Sequence, residues 1–249
     1  MDESIGSSFM RNTRYSEMSE PPQRMGVLQP PLELPVPAGA ERISLPRPET
    51  LRMPSMDLRT AIEQRHSQRR YSALPLSQEE LSYLLWVTQG VKKVTDRPAT
   101  LRTVPSAGAR HSFETYMLVN QVEGLQPGLY RFLAVEHALA LLDSTGEEIN
   151  ERLTHACLDQ EQVRISAVTF FWCAIVERMY WRYTERGYRY LHLDAGHVCQ
   201  NLYLAAEQLQ CGVCAIGAFD DDLVNQALKL DGESQFAIYI ASLGKKIVK

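Results

Sequence analysis

The chain has 249 residues, 45% of them hydrophobic and 22% charged, with a formal net charge of -4. That composition supplies a core for a globular fold, and the acidic balance excludes a general nucleic-acid surface, which needs a basic excess. No stretch reaches the roughly 18 apolar residues of a membrane span, "MDESIGSSFMRNTRYSEMSEPPQ" lacks the apolar core of a secretory signal, and five cysteines, an odd number, fit reduced thiols; a cytoplasmic protein is expected, with neither nucleic acid nor membrane as partner.

In chain order, residues 1–50 are rich in Pro, Ser and Glu, and are expected as a disordered or extended Pro-rich arm, with the folded domain over 51–249. "SMDLRTAIEQR" predicts a helix with Ser55 as N-cap and Asp57 in the first turn. "YSALPLSQEELSYLLWVTQGV" carries Ser77 and, three residues on, Glu80. This is a capping box ahead of the inward stripe Leu81, Leu84, Leu85 and Thr88, with Gly90 as the stop. "DRPATLRTVPSAGARHS" reads as a loop. "FETYMLVNQV", "GLYRFLA" and "ALALLD" read as an antiparallel meander. "EEINERLTHACLDQ" is helical, and "VTFFWCAIVE" is an apolar run typical of a strand buried on both faces. A helical region from Arg178 to Gln210 follows, broken near Gly187, and "VCAIGAF", "DDDLVNQALKL" and "SQFAIYIASLG" read as strand, Asp-led helix and strand. The order is that of an α+β domain.

Three segments carry candidate chemistry. In "RHSQRRYS", Arg65, Ser67 and Arg69 alternate, so an extended backbone sends them to one face, where two guanidiniums and a hydroxyl match a phosphate or carboxylate. Read alone, the segment is equally a solvated helix C-terminus, where basic residues meet the helix dipole. "PSAGARHS" offers small residues that let backbone approach a planar ligand, with Ser106 as a hydroxyl; alone it is an ordinary loop. In "CAIGAFDDD", Gly217 at a strand end exposes peptide N–H groups, or is a plain turn into a helix capped by Asp220. The "CGVC" of Cys211 and Cys214 follows a helix and enters a strand, unlike a redox site at a helix N-terminus, so buried small residues are expected. His192, His197 and Cys199 lack ligand spacing, and no metal is expected.

Taken together and in this order, "RHSQRRYS", "PSAGA" and "AIGAFDD" before a strand ending "SLG" resemble the nitroreductase-like FMN-dependent flavoproteins. "ISLPRP", "PLSQEELSYLLWVTQGV", "PGLYRF" and "RGYRYLHLDAGHVCQNLYLAAEQL" point to its SagB/ThcOx-type dehydrogenase branch, over about residues 40 to 245. The resemblance implies a central, mostly antiparallel sheet flanked by helices, in an intertwined homodimer with flavin sites shared between subunits. It implies that Arg65 and Ser67 grip the FMN phosphate, with His66 beside them through its backbone, and that Arg69 lies near the flavin N1/O2 edge, where a cation favours the reduced ring. Pro105, Ser106, Ala107 and Gly108 would come from the other subunit, Ile216, Gly217 and Ala218 would present backbone near N5 and O4, and Lys245 or Lys246 would complete the phosphate clamp.

The implied activity moves electrons from a donor such as NAD(P)H to a nitroaromatic or quinone by ping-pong half-reactions. Azoline-oxidising members carry a Lys-Tyr pair where this chain has Arg182 and Tyr183 in "WRYTERGYRY". Arginine effectively cannot give up its proton. This departure weighs against azoline oxidation of a modified peptide and leaves Tyr183 as the proton carrier. The alternative for the pair is a half-exposed helix face with cation–π contacts, Tyr188 and Tyr190 packing beside it. A flavin-binding or partner-docking protein without turnover is the third reading.

Overall fold

The structure, a computed structural model, describes residues 4–247; residues 1–3 and 248–249 of the expected arm and domain lie outside the described residues. The expected arm over the first fifty residues begins with one helix. Helix α1 (Ile5–Asn12) starts on Ser4, whose hydroxyl accepts from the Ser7 amide. Beyond it the chain runs on as a strap with few regular hydrogen bonds until strand β1 (Arg42–Ser44).

Helix α2 (Leu58–Gln64) begins at Asp57 rather than Ser55. The Asp57 carboxylate accepts from the Thr60 amide at 2.9 Å, and its charge also suits the positive end of the helix. Helix α3 (Gln78–Gln89) has the expected capping box, each side chain of Ser77 and Glu80 satisfying the other's backbone amide. Ser77→Ala should cost about 1 kcal/mol, read as a fall in melting temperature of roughly 2–4 °C; an unchanged melt would show that the box contributes nothing. Part of the expected loop after α3 is paired instead, as β2 (Val91–Val94) with β3 (Thr100–Arg102).

The meander forms as β4 (Phe113–Val119), β5 (Gly128–Leu133) and β6 (Ala138–Asp143). Helices α4 (Glu147–Ala156) and α5 (Glu161–Arg164) follow, then β7 (Val168–Ile175). Helix α6 (Val176–Tyr183) stops where Thr184 takes φ 44°, and α7 (Gly187–Gln208) restarts after one 3-10 turn, at the break expected near Gly187. Strand β8 (Cys211–Ile216), helix α8 (Asp221–Leu228) and strand β9 (Gln235–Lys245) complete the order.

Among the described residues, seven strands form one antiparallel sheet in the order β1-β6-β5-β4-β7-β9-β8. This is the expected α+β architecture, a central sheet flanked by helices. Strand β7 shows why it needs an uninterrupted apolar run. Phe170 and Trp172 point into the core beneath α3 and α7, whereas Phe171 and Cys173 point into the core beneath α4 and α8. Glu114 of β4 and Arg178 of α6 form an ion pair at 2.6 Å with each side chain only 3% exposed. The strap joins them, since Glu114 accepts from the Leu34 amide and Arg178 donates to the Pro31 carbonyl.

Candidate functional site

After Arg65 ends α2, the chain straightens and lies along the outer side of β8. Ser67 bridges to Val213, and the Gln68 amide donates to the Val213 carbonyl at 2.8 Å. Arg65 and Ser67 then meet on one residue of α7. The Ser67 hydroxyl meets the Tyr203 hydroxyl of α7 at 3.0 Å, and the Arg65 guanidinium lies 5.3 Å from the Tyr203 ring centre. Arg69 hydrogen-bonds the Cys214 thiol, although burial outweighs that contact and pushes the thiol pKa up. Gln68 turns to the other side, over Gly212, where any Cβ would come within 2.8 Å of the Gln68 side chain. His66 turns back to the Gln64 carbonyl at 2.9 Å. Among the described residues neither Arg65 nor Arg69 has a carboxylate partner.

Strand β8 leads from this cluster to the third segment. Ile216 is buried at its end, while Gly217 and Ala218 are exposed, and a Cβ on Gly217 would meet nothing within 4 Å. The backbone there is open to a ligand. The Ala218 carbonyl accepts from Gln160, and Asp220 caps α8 as expected. Tyr203, which also accepts from the Ala215 amide at 2.9 Å, ties the helix, the strand and the basic segment together.

The Pro105–Gly108 loop gathers elsewhere. Ser106 accepts from the His111 amide at 2.9 Å, and the Ala107 amide donates to Asp194 of α7 at 3.3 Å. Asp194 is 4% exposed, its second carboxylate oxygen has no partner, and burial raises its pKa despite a hydrogen bond from Ser106. Gly108 has φ +57°, and a Cβ on it would lie 2.4 Å from the Tyr183 hydroxyl and 3.0 Å from Arg182. The loop therefore meets the Arg182–Tyr183 pair directly. The Arg182 guanidinium is 5.7 Å from the Tyr183 ring centre, and Tyr183 stands edge-on to Tyr190 at 4.9 Å.

Asp194 and Tyr203 were not singled out by the sequence reading, and each anchors one half of the site. Their signal was a polar group in a nearly all-apolar helix, which has to find a partner when buried. Nine residues separate them on α7, which is about 13.5 Å of rise and half a turn of rotation. The two clusters thus sit on opposite flanks of the same helix. Lys245 and Lys246, expected at the phosphate, are engaged with carboxylates: Lys245 with Glu80 and the Leu209 carbonyl, Lys246 with Glu207. All five cysteines are free and buried, Cys211 and Cys214 among them, and burial pushes the Cys211 thiol up to about 12.

The model of the nitroreductase family matches residues 62–245. A Methanocaldococcus jannaschii protein carrying the name nitroreductase MJ1384 is 35% identical over 191 residues, spanning 76% of this chain and 91% of its own. The trifolitoxin-processing protein TfxB of Rhizobium leguminosarum bv. trifolii is 27% identical over 154 residues, 61% of this chain but 41% of its own length. Among solved structures, a nitroreductase from Anabaena variabilis superposes with a TM-score of 0.70 at 32% identity, over 84% of this chain and 42% of that longer chain.

Proposed function

The chain belongs to the nitroreductase family of oxidoreductases, and from that premise we propose that it binds FMN and passes electrons from a donor such as NAD(P)H to a nitroaromatic or quinone. The observation that carries the reading is the Arg65–Ser67–Arg69 cluster, cationic and without a carboxylate partner, on the strand that ends in the open Gly217 backbone. The donor set fits the cofactor. The guanidinium and hydroxyl of Arg65 and Ser67 suit a phosphate dianion, the Arg69 guanidinium suits the electron-rich edge of the ring, and a Cβ-free turn admits a flat ring. FMN, when bound, supplies the two-electron chemistry.

The residues of the chain supply the rest. Arg65 and Ser67 hold the phosphate, with Tyr203 orienting Ser67 from behind. Arg69 lends positive charge at the ring edge, and the backbone of Ile216, Gly217 and Ala218 lines the ring, with His66 beside the phosphate through its backbone. Lys245 and Lys246 reach the phosphate only by leaving Glu80 and Glu207, so they hold the neighbouring elements together first. Asp194 fixes the Pro105–Gly108 loop against Tyr183, and the Tyr183 hydroxyl is the group able to hold or give a proton there, since Arg182 stays charged.

The two half-sites on opposite flanks of α7 support a homodimer in which the second chain's Pro105–Gly108 loop completes the site. Exposed Leu58 and Ile62 on α2 and Leu193 on α7 offer it an apolar seam. The test is the visible spectrum of fresh protein before and after anaerobic NAD(P)H. Flavin bands that bleach are expected; a colourless protein that refuses added FMN would overturn the reading. A second reading, oxidation of azoline rings in a modified peptide, is favoured by the likeness to a toxin-processing protein and disfavoured by Arg182. Turnover of an azoline peptide without NAD(P)H oxidation would select it.

A further inference from the structure

The strap is fastened on both sides of Arg182. Arg186 donates to the Thr13 carbonyl at 3.1 Å and Arg189 to the Thr13 hydroxyl at 2.6 Å. Farther along, the Gln23 amide donates to the Trp181 carbonyl at 2.9 Å, and the Trp181 indole donates to the Val27 carbonyl at 2.8 Å. Residues 15–24, between these fastenings, arch over Arg182 and Tyr183 and line with them a half-open cavity of ≈ 670 Å³. That is the size of a small-molecule site.

Its chemistry is specific. Tyr15 and Tyr183 give it aromatic walls, and Met18 and Pro21 give it apolar ones. Arg24 and Arg182 both line it, and among the described residues neither guanidinium has a hydrogen bond or an ion pair, that of Arg182 lying only against the Tyr183 ring. Glu20 is the one carboxylate in the lining, so the cavity keeps a net positive charge. Arg110, stacked 5.2 Å over the Trp181 ring, adds a third guanidinium behind Arg182. Guanidiniums with no hydrogen bond or ion pair, in a cavity with aromatic walls, match a flat ring bearing a carboxylate, which takes two parallel hydrogen bonds from one arginine.

We propose that this cavity binds an aromatic carboxylate, with Arg182 and Arg24 on the carboxylate and the strap forming the wall that selects it. The inference deepens the proposed function, on which it rests for the meaning of the site: the acceptor would be an aromatic that carries an acid group. The strap makes Arg24 a specificity residue far from the family's matched span, which begins at residue 62.

The test is calorimetric titration of the full chain with benzoate and with benzamide, its uncharged counterpart. Benzoate should bind at least about tenfold more tightly. Arg24→Gln and Arg182→Gln should each remove most of that preference and leave benzamide unaffected. The Arg24 side chain is exposed and makes no hydrogen bond or ion pair among the described residues, so its variant should fold normally, which its melting curve checks. Equal binding of the two probes, no binding of benzoate, or a preference untouched in Arg24→Gln would overturn the proposal. The visible spectrum of the same sample separates the two readings. A yellow protein that does not discriminate the probes sinks the cavity assignment alone; a colourless protein that does discriminate them sinks the flavin assignment alone.

Discussion

Replacing Arg65 and Ser67 together by alanine should yield a folded protein that purifies almost without flavin. Each charge-assisted contact to a phosphate is worth roughly 1.5–3 kcal/mol. Losing the guanidinium and the hydroxyl together should therefore weaken FMN binding by about two to four orders of magnitude. Neither side chain is part of the core. Arg65 leans on the Tyr203 ring and Ser67 shares one hydrogen bond with it, so the melting temperature without flavin should hardly move. The readouts are flavin absorbance per protein and titration of the stripped protein with FMN. A double variant that stays fully yellow would remove both residues from the phosphate.

Arg178→Met should be the most destabilising single change proposed for this chain. It leaves the Glu114 carboxylate 3% exposed, with the Leu34 amide as its remaining short contact. Removing one partner of a buried pair costs about 3–5 kcal/mol because the other charge stays desolvated. For a chain of this size that is a fall in melting temperature of roughly 6–20 °C. Arg178 also donates to the Pro31 carbonyl, so the strap should loosen and proteolysis should begin near residue 30. Removing both charges, with Glu114→Leu added, should recover much of the loss. A melting temperature within about 2 °C of the parent for Arg178→Met would show that the pair carries no net stability.

The parts of the fold that were legible in the sequence are those where local chemistry and tertiary packing agree. Ser77 and Glu80 announce a helix start because both partners lie within one turn, and β7 announces a central strand because both its faces need apolar residues. The pairing of Arg65 and Ser67 on one side was legible in the same way, since it depends only on an extended backbone. The strap was not. Its fastenings are side-chain donors of α6 and of the turn into α7 reaching peptide carbonyls more than a hundred residues earlier, and a carbonyl carries no sequence signature. The same distance hid the partners of Lys245 and Lys246, since Glu80 and Glu207 are 165 and 39 residues away. Asp57 displaced Ser55 as a cap because two good capping residues stood within three positions, and spacing does not choose between them.

The course of residues 67–68 along β8 has a consequence for solubility. A sheet exposes unpaired amides and carbonyls along its outermost strands, which invite strands of other chains and so aggregation. One border of this sheet is β1, only three residues long. At the other border, the Gln68 backbone occupies the Val213 carbonyl and its side chain covers Gly212. The segment that is proposed to hold the cofactor is therefore also the sheet's guard against fibrillar pairing. Substitutions that pull it away from β8, rather than merely shorten Arg65 or Ser67, should turn a binding defect into an aggregation defect.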